Sequence, residues 1–230
     1  MKTFFLDDLN NNVGDTLSKP ILEHFGIQVE LCGRKETGKL LAVGSVMSAL
    51  RKNDFVWGTG CIRNKQIVAK PGVTFFAVRG PRTRALISNA IVPEIYGDPA
   101  LLLPLIYNPK IEKKYKIGIL PHYIDKKIAP VKDGEHFIDI QMNWKNVIDE
   151  ILKCDKIISS SLHGIIIAEA YGIPAVWSKY SDNIIGGEFK FQDYFLGTGR
   201  TEQKYFTEIE PIKNLAEIQG NLIKALPWKK

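Results

Sequence analysis

A chain of 230 residues, 45% of them hydrophobic, carries enough apolar surface for a packed core; that excludes disorder as the default and fits either one large α/β domain or two small ones. Lys and Arg number 31 against 25 Asp and Glu, a net charge of +6; only seven of the basic residues are arginines and the lysines are scattered, a balance that suits an anionic substrate or an acidic membrane surface without requiring nucleic acid. Three cysteines, Cys32, Cys61 and Cys154, show neither a CxxC pair nor metal-ligand spacing and read as the reduced thiols of a cytosolic protein. The opening MKTFFLDDLNNN turns polar too soon for a signal peptide. No window approaches the roughly 20 apolar residues of a membrane helix, so any membrane contact is expected from the surface.

Along the chain, short apolar runs alternate with amphipathic stretches, the pattern of a parallel sheet covered by helices. Strands are predicted at 3–6, 40–43, 54–57 and 73–78, with helices over 15–25 and 81–89. A second series has strands at 116–120, 136–140, 156–159 and 175–177 and helices over 143–154 and 161–171. Between the two lies YNPKIEKKYK, residues 107–116, charged and without periodicity, which reads as a linker. The expected architecture is α/β, with two Rossmann-like domains, 1–110 and 111–230, facing a cleft where ligands meet the carboxyl ends of strands. The tail NLAEIQGNLIKALPWKK spaces its apolar residues as a helix that packs back on the body.

Several strand ends carry polar residues suited to chemistry. In NNNVGDTLSKP, residues 10–20, Gly14 permits a tight turn and Asp15 reads as a helix cap; alternatively Asn12 and Asp15 face the cleft and touch a polyol or accept a proton. WGTGCI follows a strand with Gly58, Thr59 and Gly60, which let backbone amides approach a ligand, although a plain turn explains them equally and the full GxGxxG fingerprint is missing. In FFAVRGPRTRALI a buried strand ends in Arg79 and Gly80 before a helix with proline in its first turn. There Thr83, the helix amides and the arginines converge, and an anion is their natural complement; Arg82 and Arg84 read as solvated surface. Asp98 of YGDPALLLPLIY reads as a helix cap ahead of Pro99, and His122 of KIGILPHY sits at another strand end. In SSSLHGIIIAEAYGIPAV, His163 stands at a helix start. A lone histidine there is ordinarily a satisfied core residue, but the companion strand ends favour an anion ligand or a general acid.

Taken in order, NNNVGD, GTG, VRGPRT, GDPAL, PHY and SLHGIIIAEAYGIPAV, from about residue 10 to residue 177, resemble the polysaccharide pyruvyl transferase family. The resemblance implies a fold similar to that of the GT-B glycosyltransferases. It also implies transfer of the enolpyruvyl unit of phosphoenolpyruvate to a sugar of a bacterial surface polysaccharide or its lipid-linked precursor, usually as a cyclic pyruvate ketal. Phosphoenolpyruvate is then the donor substrate, with no cofactor, and Arg79 and His163 are implied as its ligands. Some members carry an arginine two places before that histidine, where this chain has Ser161. The anion site is therefore expected to lean on backbone amides at the helix start, on Ser160, Ser161 and Leu162, or on a basic residue from elsewhere. FKFQDYFLGTG, residues 189–199, also resembles the family's segment after the last strand, which makes Lys190 the candidate for that charge.

The expected chemistry gives His163 the role of general acid or electrostatic clamp and lets Asp15 take the proton of the attacking sugar hydroxyl. No metal is required, and no cluster of His, Cys and carboxylates suggests one. A lipid-linked acceptor would bring the protein to the inner face of the cytoplasmic membrane as a peripheral protein. The alternative reading is a GT-B nucleotide-sugar glycosyltransferase with His163 and Glu169 on the nucleotide, and a third is a non-catalytic carbohydrate-binding protein.

Overall fold

The computed structural model describes residues 1–5 and 12–228; Leu6, Asn10 and Asn11, which belong to the first predicted strand and the first motif, lie outside the described residues. The first half of the chain runs β1 (Lys2–Thr3), α1 (Val13–Thr16), α2 (Ser18–His24), β2 (Glu30–Leu31), β3 (Leu40–Leu41), β4 (Phe55–Trp57), β5 (Ile67–Val68), β6 (Thr74–Ala77), α3 (Pro81–Ala85) and β7 (Ile87–Ser88). A 3-10 turn at Pro99–Leu102 leads into α4 (Leu103–Ile106). The second half continues with β8 (Tyr115–Leu120), β9 (His136–Phe137), α5 (Trp144–Leu152), β10 (Cys154–Ser159), α6 (Leu162–Ala170), β11 (Ala175–Trp177), α7 (Phe189–Gly197) and α8 (Leu215–Lys224).

Two main sheets result, one in the order β2-β1-β3-β4-β6 and one in the order β11-β10-β8-β9, with β5 and β7 paired apart from them. Every pairing between these strands is parallel, as the alternation of apolar runs with helices predicts. The strands are shorter than the apolar runs that contain them: 40–43 pairs only at Leu40–Leu41, and 136–140 only at His136–Phe137. The helix predicted over 15–25 is broken at Leu17 into α1 and α2. That predicted over 81–89 stops at Ala85, because Ile87 and Ser88 pair with Ile67 and Val68. Residues 107–114 form neither helix nor strand.

Alternation along the strands assigns side chains to two cores. Leu40 and Trp57 point into the larger one, which also takes Leu17 between α1 and α2, Ile21 and Leu22 of α2, Leu101 and Leu102 of the 3-10 turn, and Leu120, Ile157 and Ala175 of the second sheet. Leu41, Val56 and Phe75 fill a smaller core with Met47 on the other side of the first sheet. The helix α6 has no continuous polar face, only His163 and Glu169 among apolar residues, and every one of its residues is buried, the state expected of such a helix. It packs on β10, β11, α5 and the 3-10 turn, which carries its first turn to the point where the strand ends converge. Gly164 makes the approach possible, since a methyl group there would overlap the Ser159 hydroxyl and Leu120.

Candidate functional site

A cleft of about 170 Å3 opens where the loop before α1, the loop after β3, the end of β8, the start of α6 and the start of α7 meet. Seven of the residues singled out in the sequence line it: Asn12, Asp15, His122, Ser161, Leu162, His163 and Lys190. Ser45 completes the polar part of the wall.

On one side, Asn12 precedes α1 and donates from Nδ2 to the Asp15 carboxylate at 2.9 Å. Asp15 does not cap α2, contrary to the expectation for a loop residue; it lies within α1, and the residue before α2 is Leu17, which offers no side-chain bond. On the other side, Ser161 takes the N-cap position of α6 in an extended conformation without a side-chain bond to the helix. Its hydroxyl is not committed to capping, and the first amides of α6 open toward the cleft end of the helix.

His163 follows two residues later and is buried. Its Nε2 lies 3.6 Å from Oδ2 of Asp98, and neither atom has a hydrogen-bond partner among the described residues. A methyl group at Gly14 would overlap the His163 ring at Nδ1, so the bare glycine backbone is what allows α1 to close over that edge of the imidazole.

His122 and Lys190 supply the remaining nitrogen atoms. His122 accepts at Nδ1 from the amide of Ile124 at 3.3 Å, while its own amide donates to Ser160 Oγ at 3.0 Å. Burial, then the neighbouring charges of Lys190 and His163, push the His122 pKa down to about 3, so near neutral pH this ring offers Nε2–H as a neutral donor. Burial likewise pushes the Lys190 ammonium down to about 8; the charge of Arg79 adds to the shift and Asp15 opposes it. Lys190 thus stands in the same cleft as Ser161.

The remaining sequence candidates lie behind this wall. Arg79 is fully buried and its guanidinium is committed three ways: Nε to Asp193 at 3.1 Å, Nη1 to Ser45 Oγ at 2.6 Å and Nη2 to the Cys61 carbonyl at 2.6 Å. Thr83 donates to Asp193 from both its amide, 2.8 Å, and its hydroxyl, 2.6 Å. The anion that complements the VRGPRT segment is therefore the protein's own Asp193, which sequence reading missed because it lies 114 residues away. Gly80 and Gly60 permit this packing, for a methyl on either would overlap Asp193 or Arg79. Gly58, at φ +87°, turns the chain against Pro99, and Thr59 donates to the Gly44 carbonyl at 2.8 Å while accepting from Val46 N. Ser160 donates to Asp125 at 2.9 Å and orients the His122 backbone. Arg82 and Arg84 pair with Glu202 and Glu94 at the surface. Ser45 carried no signal in the sequence beyond following an apolar run, and Asp98 was legible only as the cap it also is, accepting from Ala100 N at 3.0 Å.

Comparison with known proteins decides what this arrangement belongs to. The family described as polysaccharide pyruvyl transferase matches residues 39–182, well over half of the chain. The chain belongs to the polysaccharide pyruvyl transferase family. It is 30% identical over 229 residues to the uncharacterized protein L143 of Acanthamoeba polyphaga mimivirus, an alignment covering 92% of this chain and 78% of that protein. It is also 30% identical over 149 residues to the succinoglycan biosynthesis protein ExoV of Rhizobium meliloti (strain 1021), covering 61% of this chain and 45% of ExoV; the chain thus matches less than half the length of that relative. Within this pyruvyl transferase family match lie the cleft residues from Ser45 to His163, while Asn12, Asp15, Ile185 and Lys190 fall outside it. Among the described residues no helix is long and apolar enough to cross a membrane, and no group of three His, Cys, Asp or Glu side chains is placed to hold a metal ion. The three cysteines are buried and free, and burial pushes the thiols of Cys61 and Cys154 up to about 11.

Proposed function

We propose that the protein transfers the enolpyruvyl unit of phosphoenolpyruvate to a sugar hydroxyl of a surface polysaccharide or its lipid-linked precursor, with closure to a pyruvate ketal. In this reading 1–110 and 111–230 are two Rossmann-like units in a GT-B-like arrangement, and the cleft between the strand ends is the site. The observation that carries it is the convergence of Lys190, His122, His163 and the first turn of α6 on one cleft that also holds Asp15. A small ligand with a phosphate and a carboxylate, close to a trianion, matches that set of donors and positive charge; the carboxylate of Asp15 suits the hydroxyl that must lose a proton.

The chemistry divides among these groups. His163 delivers a proton to the methylene carbon while the sugar hydroxyl attacks C2 and passes its proton to Asp15. The C2–O bond to phosphate then breaks, inorganic phosphate leaves, and a second sugar hydroxyl closes the ketal at C2 with loss of its own proton. Lys190 and the α6 amides hold the departing phosphate, while Arg79, paired with Asp193, holds Ser45 in place in the wall. An acceptor on a lipid carrier would bring the protein to a membrane surface as a peripheral partner, on the cytoplasmic side. For a nucleotide-sugar donor, Glu169 would have to face the cleft; instead it accepts from Tyr194 Oη at 2.7 Å and from Arg200.

The test combines binding and turnover. Phosphoenolpyruvate should raise the thermal midpoint of the protein where nucleotide sugars do not. His163→Ala should lower pyruvyl transfer by about 10²–10⁴-fold, the worth of a general acid, with the fold intact. Stabilisation by nucleotide sugars alone, or transfer by the variant at the wild-type rate, would count against the assignment.

A further inference from the structure

We propose that Asp98 is a positioning residue for His163: it fixes the imidazole in the tautomer protonated on Nε2 and thereby makes Nδ1 the nitrogen that exchanges a proton. This rests on the reading above, in which His163 handles a proton in the cleft. Asp98 is fully buried, and its carboxylate cannot turn freely, because Oδ1 accepts from Ala100 N at 3.0 Å and caps the turn at Pro99–Leu102. That capping bond aims the other oxygen, Oδ2, at His163 Nε2, 3.6 Å away.

Both atoms are buried and neither has a hydrogen-bond partner among the described residues. A separation of 3.6 Å is too long for a hydrogen bond. Two buried polar atoms left facing each other are nevertheless costly, and an approach of a few tenths of an ångström, of the kind that tightens catalytic contacts when ligand binds, satisfies both. Only one tautomer benefits. A lone pair on Nε2 would face the carboxylate oxygen and be repelled, whereas Nε2–H is attracted. In the neutral ring the lone pair then resides on Nδ1, and in the charged ring Nδ1 carries the proton that can leave. Gly14 fits the same assignment, since any side chain there would cover Nδ1. Asp98 thus does for His163 what a buried carboxylate does for the histidine of a hydrolase triad. It does so from a position that also serves as a helix cap.

The experiment reads the tautomer directly. In protein labelled with 15N-histidine, at a pH where the ring is neutral, the His163 resonances, identified by their loss in His163→Ala, should show Nε2–H and an unprotonated Nδ1. Asp98→Asn keeps an oxygen for the Ala100 cap, where Asn serves as well as Asp, and turns an N–H toward Nε2. The tautomer should switch to Nδ1–H, and turnover should fall by about 10²–10⁴-fold with little change in the Michaelis constant for phosphoenolpyruvate. A wild-type ring protonated on Nδ1 would overturn the proposal without recourse to the variant, which covers the case of a variant that does not fold. So would an unchanged tautomer or undiminished turnover in Asp98→Asn. The nuclear resonance measurement needs no substrate, so a wild-type protein that shows Nε2–H but transfers no pyruvyl group would sink the functional reading and leave the role of Asp98 standing.

Discussion

Lys190 is the residue of the cleft on which charge and burial meet. Its ammonium is pushed down to about 8, by burial first and by Arg79 next, so a buried positive charge is maintained at neutral pH at a cost to the free protein. The sign follows from proton counting. Between about 8 and the unfolded value of 10.5 the unfolded chain holds the extra proton, so stability without ligand should rise with pH across that window, and below it the cost is fully present. On the proposed function an anionic donor binds the charged amine better, so the affinity for phosphoenolpyruvate should fall as pH climbs through about 8, opposite in sign to the stability. Lys190→Met should flatten both trends; chemical denaturation and calorimetric titration from pH 7 to 10 measure them, and parallel trends in the wild type would refute the assignment. How much of the site was legible in the sequence follows the same residue-scale logic. His163, Ser161 and His122 stand at strand ends or helix starts, where local pattern speaks. Asp98 and Asp193 act through partners far along the chain, and nothing local distinguishes an acidic residue that caps or solvates from one that meets His163 or Arg79.

At the scale of elements, the link that matters most is between α3 and α7. Asp193 on α7 accepts from Arg79 and from two donors of Thr83, and both members of the Arg79–Asp193 pair are fully buried. Removing one partner of such a pair leaves an uncompensated buried charge, which costs roughly 3–5 kcal/mol. Asp193→Ala should therefore shift the urea midpoint by an amount equivalent to about 3–5 kcal/mol at an unchanged m-value, and a loss below about 1 kcal/mol, the value of a surface pair, would show that Arg79 finds another partner. The same reasoning makes Arg79→Ala a stability variant before it is a binding variant. Sequence periodicity located the central strands and the helices α5 and α6, whose predicted first residues, Asn143 and Ser161, occupy the N-cap positions. It did not assign α7, whose N-cap residue Glu188 makes no side-chain cap. It also missed β2 and the β5–β7 pair, two-residue strands with partly exposed side chains and too little apolar alternation to register.

The two sheets of the whole molecule share one apolar interior. Leu40 and Trp57 of the first sheet, Leu120 and Ile157 of the second, and Leu222 of α8 belong to the same core. Polar bonds cross between the halves as well: Val13 N donates to the Ile140 carbonyl at 3.1 Å, Trp57 Nε1 to the Leu222 carbonyl at 2.9 Å, and Gln219 Nε2 to the Leu101 carbonyl at 2.7 Å. The C-terminal helix expected to pack back on the body thus packs against the first sheet and the 3-10 turn that also supports α6. Two parallel sheets that share one core should lose structure together, since neither can shed its share of the core without exposing the other. Leu222 is the place to test this: it is fully buried and touches the first half, so Leu222→Ala should cost about 2–5 kcal/mol through the lost contacts and the cavity left behind. Hydrogen exchange distinguishes the outcomes. In one cooperative body the protection of β4 and β10 falls by the same factor, because both amides open only through the same global unfolding; a fall confined to β4, with β10 untouched, would mean that the halves unfold separately and that the cleft between them is free to open by domain motion.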